Sequence, residues 1–210
     1  MTKTIIVTAD CWRKTDMSKQ TIWNYLKTHT DLTEQSIAGI MGNLEAESNC
    51  ESVRVQGDFS VDRNASKAYV QMIDNGTLTE DQMASDQRGF GLAQWTYPQR
   101  KRNLLSSCKS QGKSIGDEEA QLAFMLSEMQ NEYATMWRTL LSCKDISVAA
   151  YLVCHNYERP AFENTAIRTS LGQKIYDEFH GTEVPPVDTD YCIDKAIALL
   201  EEALKILKGE

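Results

Sequence analysis

Two short segments carry residue types suited to chemistry. Gly39-Ile-Met-Gly-Asn-Leu-Glu-Ala-Glu-Ser48 places Glu45 and Glu47 near the end of an expected amphipathic helix. Gly89-Phe-Gly-Leu-Ala-Gln-Trp-Thr96 is a glycine-hinged turn with one amide, Gln94, among apolar and aromatic neighbours. A helix-borne carboxylic acid facing such a turn suits general-acid attack on a glycosidic bond, where one proton must reach a leaving oxygen. Either glutamate qualifies on spacing. At roughly 100° per residue the apolar stripe centres near Ile37 and Leu44, and Glu45 and Glu47 fall on its two flanks.

The elements that must hold these segments follow from periodicity and punctuation. Ser18 predicts a helix start, with Ile22, Trp23, Tyr25 and Leu26 as its apolar face to about residue 28. Thr33 is a cap for the helix that carries Ile37, Ile40, Met41 and Leu44. The polar run 49–63 suits a loop or short strands lining a cleft. A short helix over 64–74 stops at Asn75-Gly76, and Pro98 starts another. Asp117 caps a long helix to about Tyr133, and further helices span 145–157 and 163–179. Pro185-Pro186 mark a linker, after which Ile193, Ile197, Leu200, Leu204 and Leu207 form a seam about two heptads long. The expected organisation is a leader at 1–17, a catalytic domain at 18–181, and a linker with a C-terminal amphipathic helix at 182–210.

Composition narrows the partners. The chain has 210 residues and a formal net charge of −8, with no basic stripe. Nucleic acid is therefore not an expected partner, since phosphate binding relies on clustered Lys and Arg. The run Ile5-Ile6-Val7 is too short for a secretory signal, and no stretch is long and apolar enough to span a membrane. Six scattered cysteines without a Cys-x-x-Cys read mainly as buried thiols. Three histidines without ligand spacing argue against a metal site, and no cofactor is expected. Cys154 and His155 are sequence neighbours whose side chains diverge on a helix, so a thiol–imidazole pair is excluded.

In order and spacing, Gly42-Asn-Leu-Glu-Ala-Glu-Ser48, Gly89 to Thr96 and Tyr157-Glu-Arg-Pro160 resemble the phage tail lysozyme family, as does Ile22-Trp-Asn-Tyr-Leu26 upstream. The resemblance covers about residues 18–180. It implies a mainly α, lysozyme-like α+β domain akin to goose-type lysozymes and lytic transglycosylases. Those proteins share a catalytic Glu followed by Ser, then a Gly-Leu-x-Gln turn. Here the first pair is Glu47-Ser48 and the turn is Gly91-Leu92-Ala93-Gln94. The resemblance thus makes Glu47 the catalytic acid, with burial expected to raise its pKa. It puts Ser48, Gln94 and Tyr157 at the substrate, and Trp95 and Tyr97 are candidates to stack on sugar rings. Asp58, Asp62 and Asp86 are candidates for a second, water-positioning carboxylate, and Glu158-Arg159 read as a structural pair or groove wall.

The implied function is cleavage of peptidoglycan between N-acetylmuramic acid and N-acetylglucosamine. Two alternatives remain at this point: a lytic transglycosylase giving anhydromuramic ends, and a non-catalytic wall-binding or tail-structural module. The implied setting is a phage or prophage product, an endolysin or a virion tail component, made in the host cytoplasm and released to the wall. The seam at 190–208 predicts self-association or docking to a tail or wall-binding protein.

Overall fold

Thr33 turns the chain into the helix around which the others assemble. In the computed structural model, which describes residues 9–183 with side chains from Lys19 onward, its Oγ1 accepts the Ser36 N–H at 3.1 Å. That satisfies one of the donors a helix start leaves open. The helix is α2 (Glu34–Ser48), and ten of its residues are buried. It ends because Asn49 adopts a left-handed conformation at φ 58°, and its N–H returns to Glu45 O at 3.0 Å.

Nine α-helices lie within the described residues. They are α1 (Ala9–His29), α2, α3 (Asn64–Asp74), α4 (Glu80–Ser85), α5 (Pro98–Ser110), α6 (Glu118–Asn131), α7 (Ala134–Leu140), α8 (Ile146–Leu152) and α9 (Thr165–Phe179). A wider π turn, Val153–Glu158, continues α8. The expected caps at Thr33 and Asp117 and the start at Pro98 are all present. Two short helices, α4 and α7, were not expected. The first helix begins at Ala9, inside the expected leader, and Ser18 lies within it rather than at its start.

Mainly helical describes this fold; the α+β expectation is not met among the described residues. The polar run after α2 forms no strand ladder, only isolated bridges of Val55 with Phe90 and of Phe90 with Trp95. Side chains hold that run instead. Asp58 takes the N–H and hydroxyl of both Ser60 and Ser66, and Gln56 takes the Gly89 N–H. The expected C-terminal helix, with its seam at 190–208, lies outside the described residues.

α2 packs along both α8 and α9, and small residues make this possible. A Cβ added at Gly42 would stand 2.3 Å from Arg168 O and 2.7 Å from Gly172 N. Neither backbone atom can yield, so the α2–α9 distance requires glycine there. That distance brings Arg168 to the end of α2.

Candidate active site

A groove of about 840 Å³ opens at the C-terminal end of α2. The 89–97 turn, the start of α5, the α6–α7 junction and the π turn form its walls. Glu47 lines it. Glu45 does not: it points towards α1, where it pairs with Lys19 at 2.9 Å. The two flanks that helical spacing leaves equivalent thus face different surroundings. Glu47 in turn accepts a hydrogen bond and ion pair from Arg168, whose side chain is only 7% exposed.

The turn facing Glu47 is fixed from two sides. Gly91 takes φ +75°, and a Cβ there would stand 2.6 Å from the Gln121 Oε1. That oxygen accepts the Leu92 N–H at 2.9 Å. From the other side, Ser48 donates its hydroxyl to Leu92 O at 2.8 Å. Ser48 is buried, so its hydroxyl clamps the turn to α2 rather than reaching substrate. Gln94 lines the groove, with its amide N–H donated to Gly91 O at 2.9 Å and Arg54 O at 3.2 Å. Among the described residues its oxygen accepts no hydrogen bond, so one acceptor in the groove remains open.

Trp95 is in the core at 1% exposure, with its ring centroid 5.6 Å from that of Phe124. Trp95 points inward, whereas Tyr97, 68% exposed, stands at the groove as the residue that leads into α5. The expected stacking by Trp95 is therefore corrected: it has no ring face to offer. Its indole N–H goes to Glu128 at 3.0 Å.

Glu128, 3% exposed, is the hub behind the groove. It accepts both a 2.8 Å pair of bonds from Arg100 and the Tyr157 hydroxyl at 2.6 Å. The Arg100 guanidinium lies over the Tyr157 ring, 4.5 Å from its centroid. Tyr157 lines the groove, but its hydroxyl is committed to this network.

None of the three aspartates expected as a second carboxylate lines the groove. Asp58 is held well below the usual carboxylate range by hydrogen bonds from Ser60 and Ser66, and it staples the loop. Asp62 is exposed and accepts from the Asn64 N–H and side chain at the start of α3. Burial would raise Asp86, but bonds from Lys101 at 2.5 Å, Tyr69 at 2.6 Å and the Arg88 N–H outweigh it and hold the carboxyl low. Aspartate's ordinary work in turns and caps accounts for all three.

A family model described as phage tail lysozyme matches residues 18–179. The chain belongs to the phage tail lysozyme family. Membership makes this a lysozyme-like protein, with peptidoglycan-directed cleavage as the activity the family implies and the virion tail as a setting that fits it. Among the described residues no helix is long and apolar enough to cross a membrane, and no group of three or more His, Cys, Asp or Glu could hold a metal ion.

In this phage tail lysozyme family member, spacing missed three charged groups at or behind the groove, Arg100, Glu128 and Arg168, and it read Glu158 only as half of a structural pair or a groove wall. Two carried a signal. Arg168 sits three, seven and eleven residues before Leu171, Ile175 and Phe179, on the stripe α9 buries. Glu128 follows Gln121 and Met125 on the buried face of α6. A charge on an apolar stripe is rarely left unpaired, so it points to a buried partner. Glu158 carried no such signal, because the π turn that aims it is invisible to helical spacing.

Proposed function

We propose that the protein cleaves peptidoglycan glycan strands between N-acetylmuramic acid and N-acetylglucosamine, with Glu47 as the general acid. One observation carries this reading: Glu47 opens into the groove at the end of α2, while its neighbour Glu45 is turned away to Lys19. Protonation of the glycosidic oxygen lets the C1–O bond break through an oxocarbenium-like transition state. Gln94 and Tyr97 would hold the sugars, the first by its open acceptor and the second by its exposed ring face. Arg168 fixes the orientation of the Glu47 carboxyl between turnovers.

A specific observation favours the transglycosylase form of this reaction. Asp58, Asp62 and Asp86 are each committed outside the groove, and Glu158, which lines it, has its Oε1 wholly covered, so none of these is set to position a water and the exposed Glu132 is the one other carboxylate in the lining. The muramyl cation can then be closed by its own 6-hydroxyl, with Glu47 taking that proton back. Digestion of purified peptidoglycan, read by mass spectrometry, tests both points. Anhydromuramic ends, one water lighter than reducing ends, are expected, and Glu47→Gln should abolish them while keeping the fold. Cleavage that survives in Glu47→Gln and is lost in Glu45→Gln would overturn the assignment. A folded protein that gives no products from any wall would make it a wall-binding or tail-structural module.

A further inference from the structure

The groove holds more carboxyl groups than cations to match them. Glu47, Glu128 and Glu158 lie at or behind its inner wall, with Arg100 and Arg168 as the guanidiniums that face them. Arg100 is taken by both oxygens of Glu128, and Arg168 by Glu47. Glu132 and Arg159 also line the groove but are exposed to water, where charge is screened. Glu158 is left without a cation of its own. Its Oε1 is wholly covered and has no hydrogen-bond partner among the described residues. The wider π turn and the left-handed Arg159 that follows, at φ 50°, aim it there. Such π insertions are rare and gather at functional sites.

We infer that Glu158 is a second functional carboxyl of the groove, a positioning group that shares one proton with Glu47 and keeps it available for the glycosidic oxygen. With both carboxyls ionised, the half-buried wall would carry one uncompensated negative charge, which low-dielectric surroundings penalise heavily. One retained proton removes it. Consistent with this, burial pushes the Glu158 carboxyl well above its ordinary value. The charge of Glu47 adds to the push, against the pull of Arg100 and Arg168 and with a smaller addition from Glu128. The bond-breaking step then balances. The shared proton passes through Glu47 to the leaving oxygen, which takes the C1–O electron pair. Closure by the 6-hydroxyl returns one proton to the pair. A protonated Glu158 cannot serve as a base for water, which agrees with the transglycosylase form.

The inference rests on the glycosidase reading for its purpose, but its test reads the proton directly. Infrared difference spectra of the full chain, wild type minus Glu158→Gln, should show a protonated carboxylic acid carbonyl band at pH 7. In Glu47→Gln that band should disappear at a lower pH, because the neighbouring charge is gone. Glu158→Gln should also move the basic limb of the pH–rate profile down by about one pH unit or more. The melting-temperature advantage of Glu158→Gln over wild type should grow from pH 4 to pH 7. This sign follows from a raised native value: wild-type stability is full below the ordinary glutamate value and falls as pH rises towards the native one. No carbonyl band, or an unmoved basic limb, overturns the inference. Loss of activity at every pH in a folded Glu158→Gln also overturns it, by making Glu158 the donor itself. A wild type that cleaves nothing yet shows the band refutes the glycosidase reading and leaves the shared proton standing.

Discussion

Replacing Glu128 by Leu tests the network behind the groove. Glu128 receives the Trp95 indole N–H, the Tyr157 hydroxyl and both arms of Arg100. Leucine approximates its volume and removes every acceptor. Arg100 retains side-chain exposure of 19% and can recover hydration. Trp95 and Tyr157, each 1% exposed, cannot. An orphaned buried donor costs about 1–3 kcal/mol, so two predict a loss of about 4 kcal/mol. For a domain of this size that lowers the melting temperature by roughly 8–16 °C at 2–4 °C per kcal/mol. Urea unfolding with an unchanged slope is the assay. A cycle with Tyr157→Phe sharpens it. Removing the hydroxyl should cost about 1 kcal/mol in the wild type and nothing, or a gain, in the Glu128→Leu background, where that hydroxyl is already orphaned. A Glu128→Leu loss below about 1 kcal/mol, the low end of that range, would refute the hub.

Two further outcomes follow from the same geometry. Tyr97→Ala should raise KM for glycan strands with little change in melting temperature, whereas Trp95→Ala should cost about 3–5 kcal/mol of stability through the cavity it leaves; equal stability losses would contradict the placement of the two rings. Asp58 and Asp86 are both held low in the native state. Their contribution is therefore present above the unfolded aspartate value of about 4 and lost as pH falls through the native values. Urea midpoints measured from pH 6 to pH 2 should fall less steeply in Asp58→Asn than in the wild type, and parallel curves would remove Asp58 from the account.

Local signals in the chain decided much of this protein. Thr33, Pro98 and Asp117 mark helix starts through groups that lie within three residues of each, so capping is readable without the rest of the fold. The α2 stripe of Ile37, Ile40, Met41 and Leu44 is buried as its period requires. Family membership was also legible, because Gly42 to Ser48, Gly89 to Thr96 and Tyr157 to Pro160 are contiguous motifs. Helix α7 and the π turn escaped, since each is set by what it packs against rather than by its own period.

The chemistry of the groove needed tertiary structure. Glu45 and Glu47 are equivalent by spacing, and only the packing of α1 and α9 assigns one to Lys19 and the other to Arg168. Trp95 and Tyr97 differ by two residues, yet Glu128, more than thirty residues further along the chain, draws one inward. Asp58 and Asp86 were plausible groove carboxylates until Ser66 and Lys101 claimed them. Glu158 looked like a wall residue until burial and its lack of a cation set it apart. The reason is common to all four cases. A side chain's charge state and reach depend on desolvation and on partners distant in sequence, and neither is encoded at its own position.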